Sequence, residues 1–239
     1  SDENSDPLYG AAYLRELYTR ADPAFTGRVT VPVLWDKERE TIVNNESREI
    51  MRMLNTEFEG TTDVDLWPEG YREEIDEILD AIYEPINNGV YRAGFADSQT
   101  AHERAARELF DALDHWESVL DDRRFLAGDV VTEADIAMFA TLVRFDHVYH
   151  THFKCNRRAI HEYDNLWNYT KEIYQLPGVA ETVNMDHIVR HYYRTHEDVN
   201  PKQLVPIGPD IDFAEPHDRD RLPAELPDAL RGATAVAND

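Results

Sequence analysis

The sequence predicts an α+β protein that is mostly α, with a small α/β unit followed by an all-α bundle. The first 58 residues read in the order helix, strand, strand, helix, because two short β-branched runs lie between segments with helical apolar spacing. Beyond Pro68 the apolar residues recur three and four positions apart, which is the pattern of core-facing helices. A polar, turn-rich stretch over 60–65 separates the two patterns.

The small unit is predicted to contain two helices and a β-hairpin. A helix over 6–21 starts with an Asp-Pro pair, which supplies an N-cap and a first helical residue. Two apolar, β-branched runs at 29–35 and 41–43 form the strands. Pro32 has no N–H to donate, so it must lie at an edge, at a bulge or after a cis bond. The second helix covers 46–58.

The bundle is predicted from segments in which apolar residues mark one helical face. The clearest local signal is a capping box formed by Thr132 and Asp135, with Val131 and Ile136 placed as its hydrophobic staple. The predicted helical segments are 75–86, 101–120, 132–145, 163–174 and 177–193.

These patterns divide the chain into three expected parts. Residues 1–66 form a partial α/β domain, 67–199 form the helical domain, and 200–239 form a C-terminal strap and tail. Prolines recur through 200–227 and forbid a long helix there, so we expect this strap to lie extended over the bundle.

The charge of the chain limits its partners. The net charge is −24 and the pI is near 4.6, so the protein repels phosphate backbones and anionic lipids. We expect no nucleic-acid partner and no membrane partner. Only four of the basic residues are lysine, and such a surface suits a halophile's cytoplasm. No apolar run approaches the roughly 20 residues that span a bilayer, and the N-terminus lacks a secretory pattern, so we expect a soluble, cytoplasmic protein.

Cysteine and histidine usage indicates neither a disulfide nor a metal site. Cys155 is the only cysteine, so an intramolecular disulfide and a paired-cysteine metal motif are both impossible within the chain. His187 and His191 have a helical spacing that can bind zinc, but the glutamate of the HExxH pattern is absent. Isolated pairs of this type are more often surface or hydrogen-bonded residues. We therefore predict no metal.

Four strings in the sequence carry a family resemblance. They are GRVTVPVLWD at 27–36, TIVNNES at 41–47, NNGVYRAGFA at 87–96 and HFKCN at 152–156. Together they resemble the Xi class of glutathione transferases, the glutathionyl-hydroquinone reductases. The resemblance implies the C-terminal half of a thioredoxin-like domain, followed by an all-α bundle of the glutathione transferase C-terminal type. It also implies a homodimer formed through the helical domain.

The resemblance implies thiol-dependent reduction of thiol-conjugated hydroquinones. In the family, a cysteine thiolate attacks the sulfur of the conjugate and expels the hydroquinone, and a second thiol then regenerates the enzyme. Either glutathione or γ-glutamylcysteine would serve as that thiol. The family carries its cysteine in an Asn-Pro-x-Cys-Pro-Trp motif that this sequence lacks, so we expect the chain alone to be inactive. The alternatives are a non-catalytic member that binds a thiol peptide or a protein partner, and a remnant whose half-sheet pairs with another chain.

By resemblance, the region around Pro32 binds a γ-glutamyl thiol. Val31 precedes this counterpart of the thioredoxin cis-proline and would pair its backbone N–H and C=O with the peptide as an added strand. Glu46 would pair with the α-ammonium group and Ser47 would add a hydrogen bond at the helix start. Without the resemblance, Pro32 would be an edge-strand proline and Glu46 and Ser47 ordinary capping residues. The implied thiol-binding set is Arg28, Val29, Thr30, Val31, Pro32, Glu46 and Ser47.

Three tyrosines match the aromatic residues that, by resemblance, surround the quinone and the sulfur. Tyr91 would be proton donor and acceptor, Tyr149 would favour the thiolate, and Tyr192 would contact the substrate. Without the resemblance, each would be a half-buried packing tyrosine. Cys155 follows a bundle helix instead of starting one, so no helix dipole activates it, and we predict that it is packed in the core. The expected partners are a small-molecule thiol and a quinone-type substrate.

Overall fold

A computed structural model describes residues 6–58 and 64–231. The chain divides into two compact units, Ser1–Glu59 and Gly60–Asp239. The first contains two helices and a two-stranded sheet, and the second is built from helices and irregular segments, which confirms the predicted fold class. The expected domain boundaries at 66/67 and 199/200 stay predictions. The predicted turn over 60–65 and the predicted C-terminal tail fall partly on 60–63 and 232–239, which lie outside the described residues.

The first unit has the predicted order of helix, strand, strand and helix. Its elements are α1 (Leu14–Ala21), β1 (Leu34–Asp36), β2 (Thr41–Asn44) and α2 (Ser47–Thr56). The strands are antiparallel, with Trp35 opposite Ile42. β1 is shorter than the predicted 29–35, because pairing begins only at Leu34, after a proline that cannot donate to the ladder. The Val31–Pro32 peptide bond is cis, one of the three placements expected for this proline.

The predicted start of the first helix is wrong, because Asp6 closes a turn instead of capping α1. Its carboxylate accepts hydrogen bonds from the backbone N–H groups of Leu8 at 3.1 Å and Tyr9 at 2.8 Å. Gly10 follows with a φ of +67°, a left-handed conformation that ends any helical run. Helix α1 therefore begins at Leu14.

The second unit is a helical bundle. Its described α-helices are α3 (Arg72–Ile82), α4 (Gly89–Gly94), α5 (Gln99–Asp122), α6 (Glu133–Arg144), α7 (His150–His152), α8 (Asp164–Gln175) and α9 (Met185–Thr195). The apolar faces predicted for 75–86 and 101–120 lie in one buried core together with residues of α6 and α8. The predicted periodicity therefore marked the correct faces of the long helices.

Two π-helical segments interrupt the bundle helices, Tyr83–Asn87 and Phe145–Tyr149. In the first, the N–H of Asn88 donates to the carbonyl of Tyr83, five residues earlier, at 2.7 Å. Pro85 lies inside this segment and has no N–H for the ordinary α-helical bond, which favours the wider turn. The predicted helix over 75–86 is therefore α-helical only as far as Ile82.

The capping box predicted at the start of α6 is confirmed. The carboxylate of Asp135 accepts hydrogen bonds from the backbone N–H of Thr132 at 2.8 Å and of Leu126 at 2.9 Å, and from the hydroxyl of Tyr169 at 2.9 Å. Asp135 is fully buried, and this burial raises its pKa against the opposing effect of those donors. The box therefore joins α6 to the preceding loop and to α8.

The predicted helix over 177–193 starts later than expected, at Met185. Gly178 has a φ of +84° and breaks the helix after Pro177. The side chain of Asn184 then caps α9 by accepting a hydrogen bond from the N–H of His187 at 3.0 Å. Between these points the chain makes only a short 3₁₀ turn, Ala180–Thr182.

The proline-rich strap runs along the bundle without an α-helix in its described part. Arg219 is completely buried, and its guanidinium donates to the carbonyls of Leu120 at 2.7 Å and Arg124 at 3.0 Å, at the C-terminal end of α5. Lys171 of α8 donates to the carbonyl of Pro216 at 2.8 Å. In residues 6–58 and 64–231 we find no helix with the length and apolar character of a membrane span.

Candidate functional site

Three phenol hydroxyls meet inside the second unit. The Oη atom of Tyr149 lies 2.9 Å from that of Tyr192 and 3.4 Å from that of Tyr91, and the hydroxyls of Tyr91 and Tyr192 also share a hydrogen bond. Tyr149 and Tyr192 are buried, and Tyr91 is partly buried. The structure thus brings together all three tyrosines that the sequence singled out. Their chemical roles stay predictions.

The π-helical segments position two of these tyrosines. Tyr91 lies in α4, directly after the first segment, and Tyr149 is the last residue of the second. The first segment is fixed to α6, because Asn87 donates its amide hydrogens to the carbonyl of Ala137 at 2.7 Å and to the hydroxyl of Thr141 at 2.8 Å. π-Helical turns are frequent at functional sites, since the extra residue re-aims the side chains around it.

The second π-helical segment is held by a buried carboxylate. Asp146 accepts hydrogen bonds from the backbone N–H groups of Ile160 at 2.6 Å and His161 at 3.0 Å, and from the ring of His161 at 2.8 Å. The bonds to backbone donors are charge-assisted and partly buried, so they restrain this turn more firmly than neutral bonds would. Tyr149, three residues further on, is held by the same turn.

The ring of Phe153 packs against the tyrosines and is completely buried. It stacks on the ring of Tyr149 with centroids 5.6 Å apart and an interplanar angle of 15°, and it meets the rings of Tyr91 and Tyr192 edge-on. The approach requires glycine at position 94, because a Cβ atom there would lie 2.2 Å from the Phe153 ring. Gly94 therefore leaves room for the ring of Phe153, which forms the aromatic floor of the site.

Burial keeps the tyrosine hydroxyls protonated. Burial, reinforced by the neighbouring phenols, raises the pKa of Tyr149 well above its usual value. The pKa of Tyr192 is also raised, mainly by burial. At neutral pH both groups are therefore hydrogen-bond donors, suited to a thiolate, a quinone oxygen or a developing negative charge.

Two histidines that the sequence analysis did not assign to the site lie beside the tyrosines. The Nε2 atom of His152 shares a hydrogen bond with the Nδ1 atom of His196 at 3.1 Å. The ring of His196 lies parallel to Phe153, with centroids 5.9 Å apart and an angle of 9°, and edge-on to Tyr192 at 5.4 Å. His196 follows the end of α9 with no motif around it, so only the folded structure reveals this position.

In the first unit, Val31 and Pro32 are exposed, and the segment leading to them is held in place. Val31 is 72% exposed, and none of the described residues forms a hydrogen bond with its backbone. The preceding Thr30 is fixed by Tyr18, whose hydroxyl donates to its carbonyl at 2.9 Å, and by Asn45, whose amide donates to its hydroxyl at 2.9 Å. Tyr18 and Asn45 are supports that the sequence analysis missed. Asn45 lies within the string TIVNNES, which was the available signal.

The other predicted thiol-binding residues are on the surface of the first unit. Glu46 is the N-cap residue of α2, but its side chain makes no capping hydrogen bond, so its carboxylate is not used for the ordinary structural role. Ser47 begins the helix and is exposed, as are Arg28 and Val29. The structure therefore places Glu46 and Ser47 side by side at the helix start. None of the described residues accepts a hydrogen bond from the side chain of Arg28.

Cys155 is packed in the core, as predicted. It is completely buried, and burial raises the pKa of its thiol to about 12. A thiol with such a pKa carries almost no thiolate at neutral pH, so Cys155 is not a nucleophile in this fold. Among the residues that the structure describes, no group of three or more His, Cys, Asp or Glu side chains is arranged to hold a metal ion.

A cavity of about 450 Å³ lies elsewhere in the second unit, between the end of α8 and the strap. It includes Arg124, Glu172 and His217 but none of the predicted site residues. The cavity lacks the converging hydroxyl groups of Tyr91, Tyr149 and Tyr192. We therefore regard the cluster formed by these three tyrosines and Phe153 as the candidate site.

Comparison with known proteins gives the family. The model of the glutathione S-transferase N-terminal domain matches residues 6–57, and that of the C-terminal domain matches residues 99–172. The chain is 51% identical over 217 residues to the glutathionyl-hydroquinone reductase YqjG of Escherichia coli strain K12, a match that covers 90% of this chain and 66% of that protein. It is 45% identical over 219 residues to the glutathione S-transferase omega-like 2 of Schizosaccharomyces pombe, covering 87% of this chain and 70% of that protein.

Solved structures give the same result. A Xi class glutathione transferase from Natrialba magadii superimposes with a TM-score of 0.89 at 63% identity, covering 92% of this chain and 70% of that one. The glutathione-bound structure of YqjG superimposes with a TM-score of 0.87 at 51% identity, covering 90% and 71%. The present chain therefore spans about two thirds of the length of these relatives, 66% in the case of the YqjG sequence.

Proposed function

Since the chain belongs to the Xi class of the glutathione S-transferase family, we propose that the full-length protein reduces thiol-conjugated hydroquinones. Glutathione or γ-glutamylcysteine would serve as the thiol. The proposal is carried by one observation, the convergence of the Tyr91, Tyr149 and Tyr192 hydroxyls on a buried aromatic floor. It is supported by the similarity to proteins named glutathionyl-hydroquinone reductase. The activity is assigned to the whole protein, because the chain spans 66% of YqjG.

The proposed reaction has two steps that balance in atoms and electrons. A cysteine thiolate attacks the sulfur of the conjugate, the sulfur–aryl bond breaks, and the aryl carbon takes a proton to give the free hydroquinone. The enzyme is left as a mixed disulfide with the thiol. A second thiol then attacks this disulfide as its thiolate, which releases the oxidised thiol and restores the cysteine.

The three tyrosines have distinct roles in this scheme. Tyr91 is the least buried of the three, and we assign it the proton transfer to the aryl carbon. Tyr149 stabilises negative charge on sulfur by donating its hydroxyl hydrogen, since its raised pKa keeps it protonated. Tyr192 contacts the substrate and hydrogen-bonds both other hydroxyls, which holds them in place between turnovers.

The nucleophilic cysteine is assigned to a part of the full-length protein other than this chain. Cys155 is the chain's only cysteine, and its burial and raised pKa make it unsuited to nucleophilic attack. The prediction that the chain by itself is inactive follows from the same observation. Hydroquinone release by the isolated 239-residue chain would contradict it.

The first unit would bind the γ-glutamyl thiol. Val31 presents backbone N–H and C=O groups that no described residue uses, which is the requirement for pairing with an extended peptide. Tyr18 and Asn45 hold the preceding Thr30, so these groups are preorganised. Glu46 is exposed beside Ser47 at the start of α2, where it would pair with the α-ammonium group of the thiol.

The proton-transfer assignment is tested by Tyr91→Phe in the full-length protein. Release of hydroquinone from a thiol conjugate, followed by chromatography, should fall by about 10²-fold or more, because a positioned acid contributes about 10² to 10⁴ to the rate. Tyr83→Phe is the matched control, since Tyr83 is a tyrosine that is 55% exposed and forms no hydrogen bond through its hydroxyl with a described residue. Unchanged turnover in Tyr91→Phe would refute the assignment. No release by the wild-type protein would favour the non-catalytic alternative.

The thiol site is tested by Glu46→Gln, with glutathione binding measured by titration calorimetry. We expect the dissociation constant to rise about 1.5- to fivefold, because an exposed charge pair contributes about 0.2 to 1 kcal/mol. Glu38→Gln removes the same charge from an exposed turn of the same unit and should leave binding unchanged. Equal affinities for all three proteins would show that Glu46 does not contact the thiol.

A further inference from the structure

An aromatic surface continues outward from the three tyrosines. Phe95 lies just after α4 and is 50% exposed, although it is a large apolar residue. Its ring centroid lies 6.2 Å from that of Tyr91, 5.0 Å from Phe153 and 5.1 Å from His196. A single exposed phenylalanine needs no explanation. Here, however, the exposed ring contacts Tyr91, one of the three tyrosines of the site, and Phe153, the ring packed against all three.

The ring of His196 is held in a fixed orientation next to Phe95. Its Nδ1 atom shares the hydrogen bond with His152, and its face lies parallel to the buried ring of Phe153. Since a hydrogen bond and a stacking contact act together, the ring has little freedom to rotate. The Nε2 atom of His196 forms no hydrogen bond with any described residue.

His152 is the residue that orients His196, through the hydrogen bond between their rings. It is buried, and burial lowers its pKa to about 4, with the neighbouring His196 and Lys154 acting in the same direction. The pKa of His196 is also lowered, by burial and by His191. The pair is therefore neutral at pH 7, and a flat aromatic molecule can stack on it without displacing the hydration shell of a charge.

We propose that Phe95 and His196 form the surface on which the aromatic ring of the substrate binds, with His152 as the residue that positions His196. This inference rests on the proposed function, because it identifies the ligand as the hydroquinone ring of the conjugate. Stacked and edge-on aromatic pairs carry about 0.5 to 1.5 kcal/mol beyond simple burial, which corresponds to about two- to twelvefold in affinity. Flat, bicyclic rings should therefore be preferred to single rings, since they cover both side chains.

The experiment measures binding of the ring itself, so that it does not depend on turnover. The probe is 2-hydroxy-1,4-naphthoquinone, a flat and stable quinone, titrated into the full-length protein by calorimetry. The variants are Phe95→Leu, His196→Leu and His152→Asn. Tyr83→Leu is the matched control, because Tyr83 is an exposed aromatic residue of the same unit with no ring contact to a described residue. Circular dichroism shows whether each variant is folded.

We expect Phe95→Leu and His196→Leu each to weaken binding of the probe about three- to tenfold. His152→Asn should weaken it at least about twofold, because the His196 ring loses its fixed orientation. Tyr83→Leu should bind as the wild type does, and glutathione affinity should be unchanged in all four. Equal probe affinities for folded Phe95→Leu, His196→Leu and wild type would overturn the proposal. Failure of the proposed function would instead appear as no hydroquinone release by the wild type, whatever the probe affinity.

Discussion

Substitution of Gly94 by alanine should destabilise the second unit, because it adds one methyl group where the chain has no room. A Cβ atom at this position would lie 2.2 Å from two ring atoms of Phe153, a separation that real Cβ atoms essentially never show. Gly94 ends α4 and is not among the glycines with positive φ, so alanine meets no backbone strain there. The expected effect is therefore purely one of packing.

The magnitude follows from two opposing contributions. Overpacking a tight interior costs about 1 to 3 kcal/mol. The cost should be near the upper end, because Phe153 is completely buried and stacks on both Tyr149 and His196. Alanine recovers up to about 1 kcal/mol through its higher helix propensity. We therefore expect Gly94→Ala to lower the free energy of unfolding by about 2 kcal/mol.

The assay is denaturant unfolding followed by circular dichroism, with Gly70→Ala as the matched control. Nothing lies within 4 Å of a Cβ atom added at Gly70, so that change should be neutral or slightly stabilising. In a double-mutant cycle with Phe153→Leu, the cost of Gly94→Ala should shrink, since the smaller side chain relieves the contact. If Gly94→Ala unfolds at the same denaturant concentration as Gly70→Ala, or if the two changes are additive, the packing argument fails.

Two further predictions concern the strap and the buried acid beneath it. Arg219→Met should lower the free energy of unfolding by about 3 kcal/mol, because buried carbonyls at the end of α5 lose their donors. Arg104→Met, at an exposed site, is the control and should change the free energy of unfolding little. Equal denaturation midpoints for the two variants would contradict this prediction. Burial raises the pKa of Glu172 from its usual 4.5 to about 7, despite the ion pair with Arg124. Protonated Glu172 therefore contributes its full stabilisation of the folded state below about pH 4.5, and this contribution is lost as pH rises through about 7. Glu172→Gln should flatten the pH profile over that window, and an unchanged slope would refute the assignment.

The sequence predicted the elements whose signals are local and unopposed. The capping box of Thr132 and Asp135 was read correctly because both partners lie within one helical turn. The start of α1 was misplaced because the carboxylate of Asp6 accepts hydrogen bonds from N–H groups of a turn instead of capping a helix. An aspartate can do either, so the residue type alone does not distinguish the two structures. The start of α9 was misplaced for a similar reason, since Gly178 adopts a left-handed conformation and Asn184 provides a later cap.

The candidate site was predictable only in part. The resemblance singled out Tyr91, Tyr149 and Tyr192, and the structure brings their hydroxyls together. Their contact depends on the packing of α4, α9 and a π-helical turn, which no local pattern specifies. His196 was missed because its place in the site depends on a partner 44 residues earlier in the chain, His152.

The π-helical segments explain why helical periodicity could not predict the directions in which Tyr91 and Tyr149 point. Each π turn adds one residue, and at 3.6 residues per turn this rotates everything that follows by about 100° relative to the preceding helix. An uninterrupted helix projected from Ile75 through Tyr91 would therefore aim the phenol away from its observed direction. Pro85 was a local sign of the first π turn, because it removes a backbone donor from the middle of an otherwise helical segment. The side-chain bonds from Asn87 to α6 then stabilise the widened turn, so the geometry of the site depends on the tertiary structure as much as on the helix itself.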